Sequence, residues 1–145
     1  DFSETDSAVY PMARSGLDLC IAVPDDVQRL RLDPGEAAGG LILKKLTFEN
    51  GKAAVFTSNG FPMGEGRYYF GGGDPQFVID SIPENAGKLH VEFEVMKETE
   101  AQDAFWKSFS KISSEKDQEI QRLNRQIHQM ENTKAWKLYR SIKKK

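Results

Sequence analysis

The chain has 145 residues, 39% hydrophobic and 29% charged, with a net charge of −2, which suits one ordinary domain plus an appendage. From Asp1 to Met96 acids exceed bases, fifteen Asp and Glu against eight Lys and Arg, which argues against nucleic acid as the partner. A lone Cys20 excludes an internal disulfide, and no run of about 18 apolar residues exists to span a bilayer.

Nothing reads as a signal peptide, and the chain starts at Asp1 without a methionine. The expectation is a piece of a longer cytoplasmic protein. Asp1 to Gly16 is polar and mixed, with Val9-Tyr10 before Pro11 its one strand-like part. Leu17, Leu19, Ile21 and Val23 then fall on one face of a strand, with Asp18, Cys20 and Ala22 on the other. Cys20 lies in this apolar run and reads as a small buried or half-buried hydrophobe rather than a nucleophile. Pro24-Asp25-Asp26 turns the chain into the stretch around which the rest is organised, VQRLRLDPGEAAGGLILKKLTF from Val27 to Phe48.

That stretch predicts a hairpin. Leu30 and Leu32 alternate with Arg29 and Arg31, and Asp33-Pro34-Gly35 stops the strand, since proline has no N–H for the ladder. Leu41, Leu43, Leu46 and Phe48 share one face of the return strand only if a bulge absorbs one residue at Lys44-Lys45. Asn50-Gly51 signals a second hairpin, with a strand over 53–58. Arg67-Tyr68-Tyr69-Phe70, Phe77 to Asp80 and Leu89 to Val95 follow, separated by turn residues. In the last of these Leu89, Val91, Phe93 and Val95 point inward. About seven short strands without helical periodicity predict an antiparallel, jelly-roll-like β-sandwich over residues 1–97.

Residues 98–145 follow a different pattern. No glycine or proline occurs from Lys88 onward, and helix formers dominate. Phe105, Phe109 and Ile112 recur at helical spacing. Ile120, Leu123, Ile127 and Met130 then alternate by three and four, with Lys116 interrupting between the two runs. The fold expected is therefore mainly β with a long C-terminal helix, continuous to about Ile142, which either pairs as a short coiled coil or extends to a neighbouring domain. Homo-oligomerisation through Ile120, Leu123, Ile127 and Met130 is the corresponding expectation.

Candidate chemistry is sparse. His90 and His128 have no Cys, Asp or Glu at metal-ligand spacing and read as solvated. No G-x-S-x-G turn occurs, and no lysine or helix start follows Gly71-Gly72-Gly73. Asp25, Asp26, Asp33 and Asp74 either gather around calcium or serve as turn residues. No catalytic set, metal or cofactor is therefore expected. Saccharide contact is the better candidate, because sugars are held by aromatic faces together with planar polar groups. Alternation in Tyr68-Tyr69-Phe70 puts either Tyr69, or Tyr68 and Phe70, on the outer side, near Phe61 and Arg67. Phe61, Arg67, Tyr68 and Tyr69 thus form the candidate glycan site. Core filling is the alternative. The tail from Glu131 combines Trp136, Leu138, Tyr139 and Ile142 with six bases from Lys134 to Lys145. Trp136, Tyr139 and Arg140 are candidates for peripheral membrane or interdomain contact; the alternative is a solvated helix end.

Three stretches taken together, DFSETDS, VQRLRLDPGEAAGGLILKKL and ENTKAWKLYRSIKK, resemble an accessory region of large bacterial glycosyltransferases that build cell-surface polysaccharides. The matching residues are Leu30, Arg31, Asp33, Pro34 and Gly35, then Glu131, Asn132, Thr133, Trp136 and Lys137. Gln129 stands where that pattern has leucine. The resemblance implies a non-catalytic module, a β-sandwich joined to a short coiled coil beside a catalytic domain of the parent chain. It also implies a surface-glycan partner and a location in the cytoplasm at the inner face of the membrane. No catalytic residue carries over, and no Asp-x-Asp motif is present. A purely structural oligomerisation unit, with a β-sandwich cap and no small ligand, is the alternative.

Overall fold

The computed structural model describes residues 7–133. Eight strands precede one helix among the described residues: β1 (Gly16–Ala22), β2 (Leu30–Leu32), β3 (Gly39–Phe48), β4 (Thr57–Ser58), β5 (Phe61–Gly64), β6 (Arg67–Phe70), β7 (Phe77–Ile79), β8 (Lys88–Val95) and α1 (Glu98–Glu131). One antiparallel sheet has the order β1-β8-β3-β6-β5 and the other the order β2-β7-β4. The fold is mainly β with one long C-terminal helix, as strand alternation and turn spacing predict.

The two sheets enclose the main core. β3 supplies Leu41, Leu46 and Phe48, β8 supplies Leu89, Val91 and Phe93, and β7 closes the opposite side with Phe77 and Ile79. Phe77 is fully buried and central, with the rings of Phe56, Tyr68, Phe70 and Phe93 all centred 5.2–5.7 Å away. Most of these pairs are edge-to-face, which sets the positive ring edge of one against the negative face of the other.

The bulge falls where the apolar phase of β3 requires it. Leu43 lies opposite Phe93 and Lys45 opposite Glu92, so Lys44 has no partner of its own in the ladder. Without that extra residue, Leu46 and Phe48 would swing to the outer face, since side chains alternate every residue. Lys44 instead reaches Glu94 at 2.9 Å on the exposed side.

The organising stretch is not a hairpin. β2 pairs with β7, Leu30 opposite Ile79 and Leu32 opposite Phe77, whereas β3 lies between β8 and β6. Asp33-Pro34-Gly35 therefore carries the chain from one sheet to the other. Leu30 and Leu32 cover the core best by pairing with the two fully buried residues of β7, and that gain overrides the local turn signal. The Asn50-Gly51 turn does form. Gly51 has φ of +81° and donates to the Phe48 carbonyl at 2.9 Å, but the ladder ends after Ala54. Its continuation Thr57–Ser58 joins the small sheet.

The outer side of the large sheet holds a second apolar cluster. Met63, Met96 and Ala101 are buried there, with Ile42, Phe61, Tyr69, Ala104 and Phe105 packed around them. The first turns of α1 thus cover sheet surface, and the compact unit with the sheets runs through Trp106 instead of ending at residue 97. Small residues allow this approach. A Cβ built on Gly40 would stand 2.5 Å from the Ala101 Cβ, and Met96 N–H bonds the Gly40 carbonyl at 2.9 Å. Glu98 and Glu100 lie in the first turn of α1, where the helix dipole favours acids.

Candidate functional site

The four residues expected to contact glycan divide between the two faces of the large sheet. Tyr68 and Phe70 of β6 point into the main core, so Tyr68 is taken up by Phe56 and Phe77, at 6.1 and 5.2 Å between ring centres. Tyr69 faces the opposite way, directly across from Phe61 of β5. Neither ring presents an open platform. Phe105 of α1 stacks on Tyr69 at 4.6 Å and meets Phe61 edge-on at 5.1 Å. Arg67 pairs with Glu65 at 3.0 Å and also bonds the Gly64 carbonyl. The aromatic face exists where alternation places it, and the chain's own helix lies on it.

Trp106 is a further aromatic residue, one to which sequence pattern assigns no role. Its ring meets Phe105 at 5.2 Å, and the residue is 61% exposed. The available signal was its place beside Phe105, off the apolar stripe of an amphipathic helix, where a large ring has no core to enter.

Two readings of β1 and β8 need correction. Cys20 is exposed, because it lies on the outer side of an edge strand. His90 is more than a solvated ring: its Nε2 lies 2.7 Å from Asp18 Oδ1, a partner brought to it by the β1–β8 register. The turn aspartates are dispersed. Asp33 is held by Arg31 at 2.9 Å and Asp74 accepts a hydrogen bond from Gln76. Among the described residues, no three His, Cys, Asp or Glu side chains gather as a metal would require.

The second unit starts at Lys107 and consists of the rest of the helix. Helical hydrogen bonding closes at Glu131, and the Thr133 hydroxyl donates to the Met130 carbonyl at 2.7 Å. The expected continuation to Ile142, and with it Trp136, Tyr139 and Arg140, lies outside the described residues. Along the described helix Ile120 is 55% exposed, Leu123 44%, Ile127 52% and Met130 63%. Between Ser113 and Glu131 the other residues are polar or charged, and before them Phe109 is 46% and Ile112 36% exposed. Arg122 donates to Glu119 at 2.7 Å, and these hydrogen bonds, aided by the guanidinium charge, hold the Glu119 carboxyl below its ordinary range. No helix among the described residues is long and apolar enough to cross a membrane.

Comparison with known proteins finds no matching family, no similar curated protein and no similar solved structure.

Proposed function

We propose that this chain is a non-catalytic accessory module that assembles a larger protein, its β-sandwich carried on a helix that pairs with the same helix of another copy. The observation that carries this reading is the exposed seam of Ile120, Leu123, Ile127 and Met130, in a stretch of helix from Ser113 to Glu131 that is otherwise polar. Covering the open half of each of these side chains contributes roughly 1 kcal/mol per residue. A helix this long, about 50 Å at 1.5 Å per residue, has most of its length beyond what a sheet of this size can cover. In the setting that the resemblance implies, the larger protein is a bacterial glycosyltransferase of surface-polysaccharide synthesis, working in the cytoplasm at the inner face of the membrane. Its catalytic domain is then the neighbour in the chain.

Glycan contact through Phe61 and Tyr69 is the weaker part of that setting, because Phe105 stacks on the Tyr69 ring and packs edge-to-face with Phe61 where a sugar would lie. The assembly reading needs no such platform. Sedimentation equilibrium of the whole chain tests it. The mean mass is expected to rise with concentration, and Ile120→Lys with Ile127→Lys to return it to the monomer value. A wild-type mass that stays monomeric into the high micromolar range overturns the reading.

A further inference from the structure

Resting on that self-pairing, the geometry points to a parallel, in-register, two-stranded coiled coil over residues 117–133. Core shape is the first argument. The three–four spacing makes Ile120 and Ile127 the a positions of a heptad and Leu123 and Met130 the d positions. In parallel pairs, β-branched residues at a with leucine at d favour two strands, because side chains at a meet the partner parallel to its Cα–Cβ bonds while those at d meet it end-on.

The flanking positions supply the second argument. They are Asp117, Asn124 and Glu131 at e, and Glu119, Gln126 and Thr133 at g. A parallel pair sets each g residue against the next e residue of its partner. Glu119 then faces Asn124 and Gln126 faces Glu131, so each carboxylate meets an amide that can donate to it. An antiparallel pair joining the same four apolar layers sets e against e. Asp117 would then face Glu131 twice over, two like-charge contacts, and the g positions would set Glu119 against Thr133, whose hydroxyl already donates to the Met130 carbonyl. Exposure agrees with this choice. Asp117, Asn124 and Gln126 are exposed beside the seam, and Glu119, which accepts from Arg122 of its own helix, is exposed there too.

Lys116 sets the N-terminal limit. It falls at the next d position, and Ile112 lies four residues before it, so two four-residue steps follow one another where the heptad has a four and a three. Such a stutter unwinds the supercoil locally. Two lysines at one layer repel, and the helices separate there. In this arrangement both chains enter the coil from the same end.

Disulfide trapping in the whole chain tests the orientation, with Cys20→Ser removing the exposed native thiol. Met130→Cys is expected to form a disulfide-linked dimer under mild oxidation at least about tenfold faster than Arg125→Cys, an outward f position, because pairing raises the effective thiol concentration. An equal mixture of Ile120→Cys and Met130→Cys is expected to give self-linked dimers only. Sedimentation of the Cys20→Ser chain should give a dimer as its largest species. Preferential Ile120→Cys to Met130→Cys linkage would overturn the parallel arrangement while leaving self-pairing intact. A trimer mass would overturn the two-stranded form. Absence of trapping together with a monomer mass would overturn self-pairing itself.

Discussion

The ring of Phe105 lies on the ring of Tyr69, centroids 4.6 Å apart and planes inclined by 29°, joining the first turns of α1 to the outer side of the large sheet. The contact accounts for two features at once. It closes the one exposed face that the alternation of Tyr68-Tyr69-Phe70 could have left open, and it extends the compact unit eleven residues past the end of β8, from Val95 to Trp106.

Phe105→Ala removes the stack on Tyr69 and the edge contact with Phe61. Because Phe105 is half-buried, the loss in unfolding free energy is expected to be roughly 2 kcal/mol, below the usual range for a fully buried ring. Urea denaturation followed by tryptophan fluorescence in a Trp136→Phe background reads it, since Trp106 packs beside Phe105. An unchanged midpoint would show that this helix turn adds nothing to the sandwich.

Gly40 and Ala101 should behave as a coupled pair. Gly40→Ala drives a methyl group into Ala101 and is expected to destabilise by about 1–3 kcal/mol through overpacking. Ala101→Gly frees that space, at its own cost of about 1 kcal/mol in helix propensity. The double variant should therefore be more stable than the two single losses added together, and strict additivity in a double-mutant cycle would refute the close approach.

Glu119 predicts a pH dependence of helix structure from Lys107 onward. Its folded pKa is lowered chiefly by hydrogen bonds from Arg122, so the contribution is present above the unfolded carboxylate pKa. It is lost as pH falls through the lowered folded value. NMR titration of the Glu119 side-chain carboxyl should give a midpoint below the ordinary glutamate range, and Arg122→Ala should move it upward. A midpoint indifferent to that substitution would remove the pair from any account of helix stability.

The elements were largely legible because each rests on local periodicity. The apolar phase of β3 reports the bulge at Lys44, since only one extra residue keeps Leu41, Leu43, Leu46 and Phe48 on a single face. The step from alternation to helical spacing reports α1, and the absence of glycine and proline lets it run. The seam residues were readable for the same reason, their spacing being a property of the helix they sit on.

Pairing was not legible where it joined distant parts of the chain. Asp33-Pro34-Gly35 carries ordinary turn chemistry, yet β2 and β3 separate into different sheets because β7 offers Phe77 and Ile79 to Leu30 and Leu32. His90 finds Asp18 72 residues away, a relation no ligand spacing can express.

By itself the sequence determined which residues share a face, where the long strands and the helix lie, and that one helical stripe is apolar, because these follow from backbone periods of two and 3.6. The short β5 went unpredicted and β4 is shorter than expected. Only the tertiary structure decided which face is covered and by what. Alternation sets Tyr69 opposite Tyr68 and Phe70, but whether water, a sugar or Phe105 meets that ring depends on long-range packing, where burying apolar surface outweighs local preference.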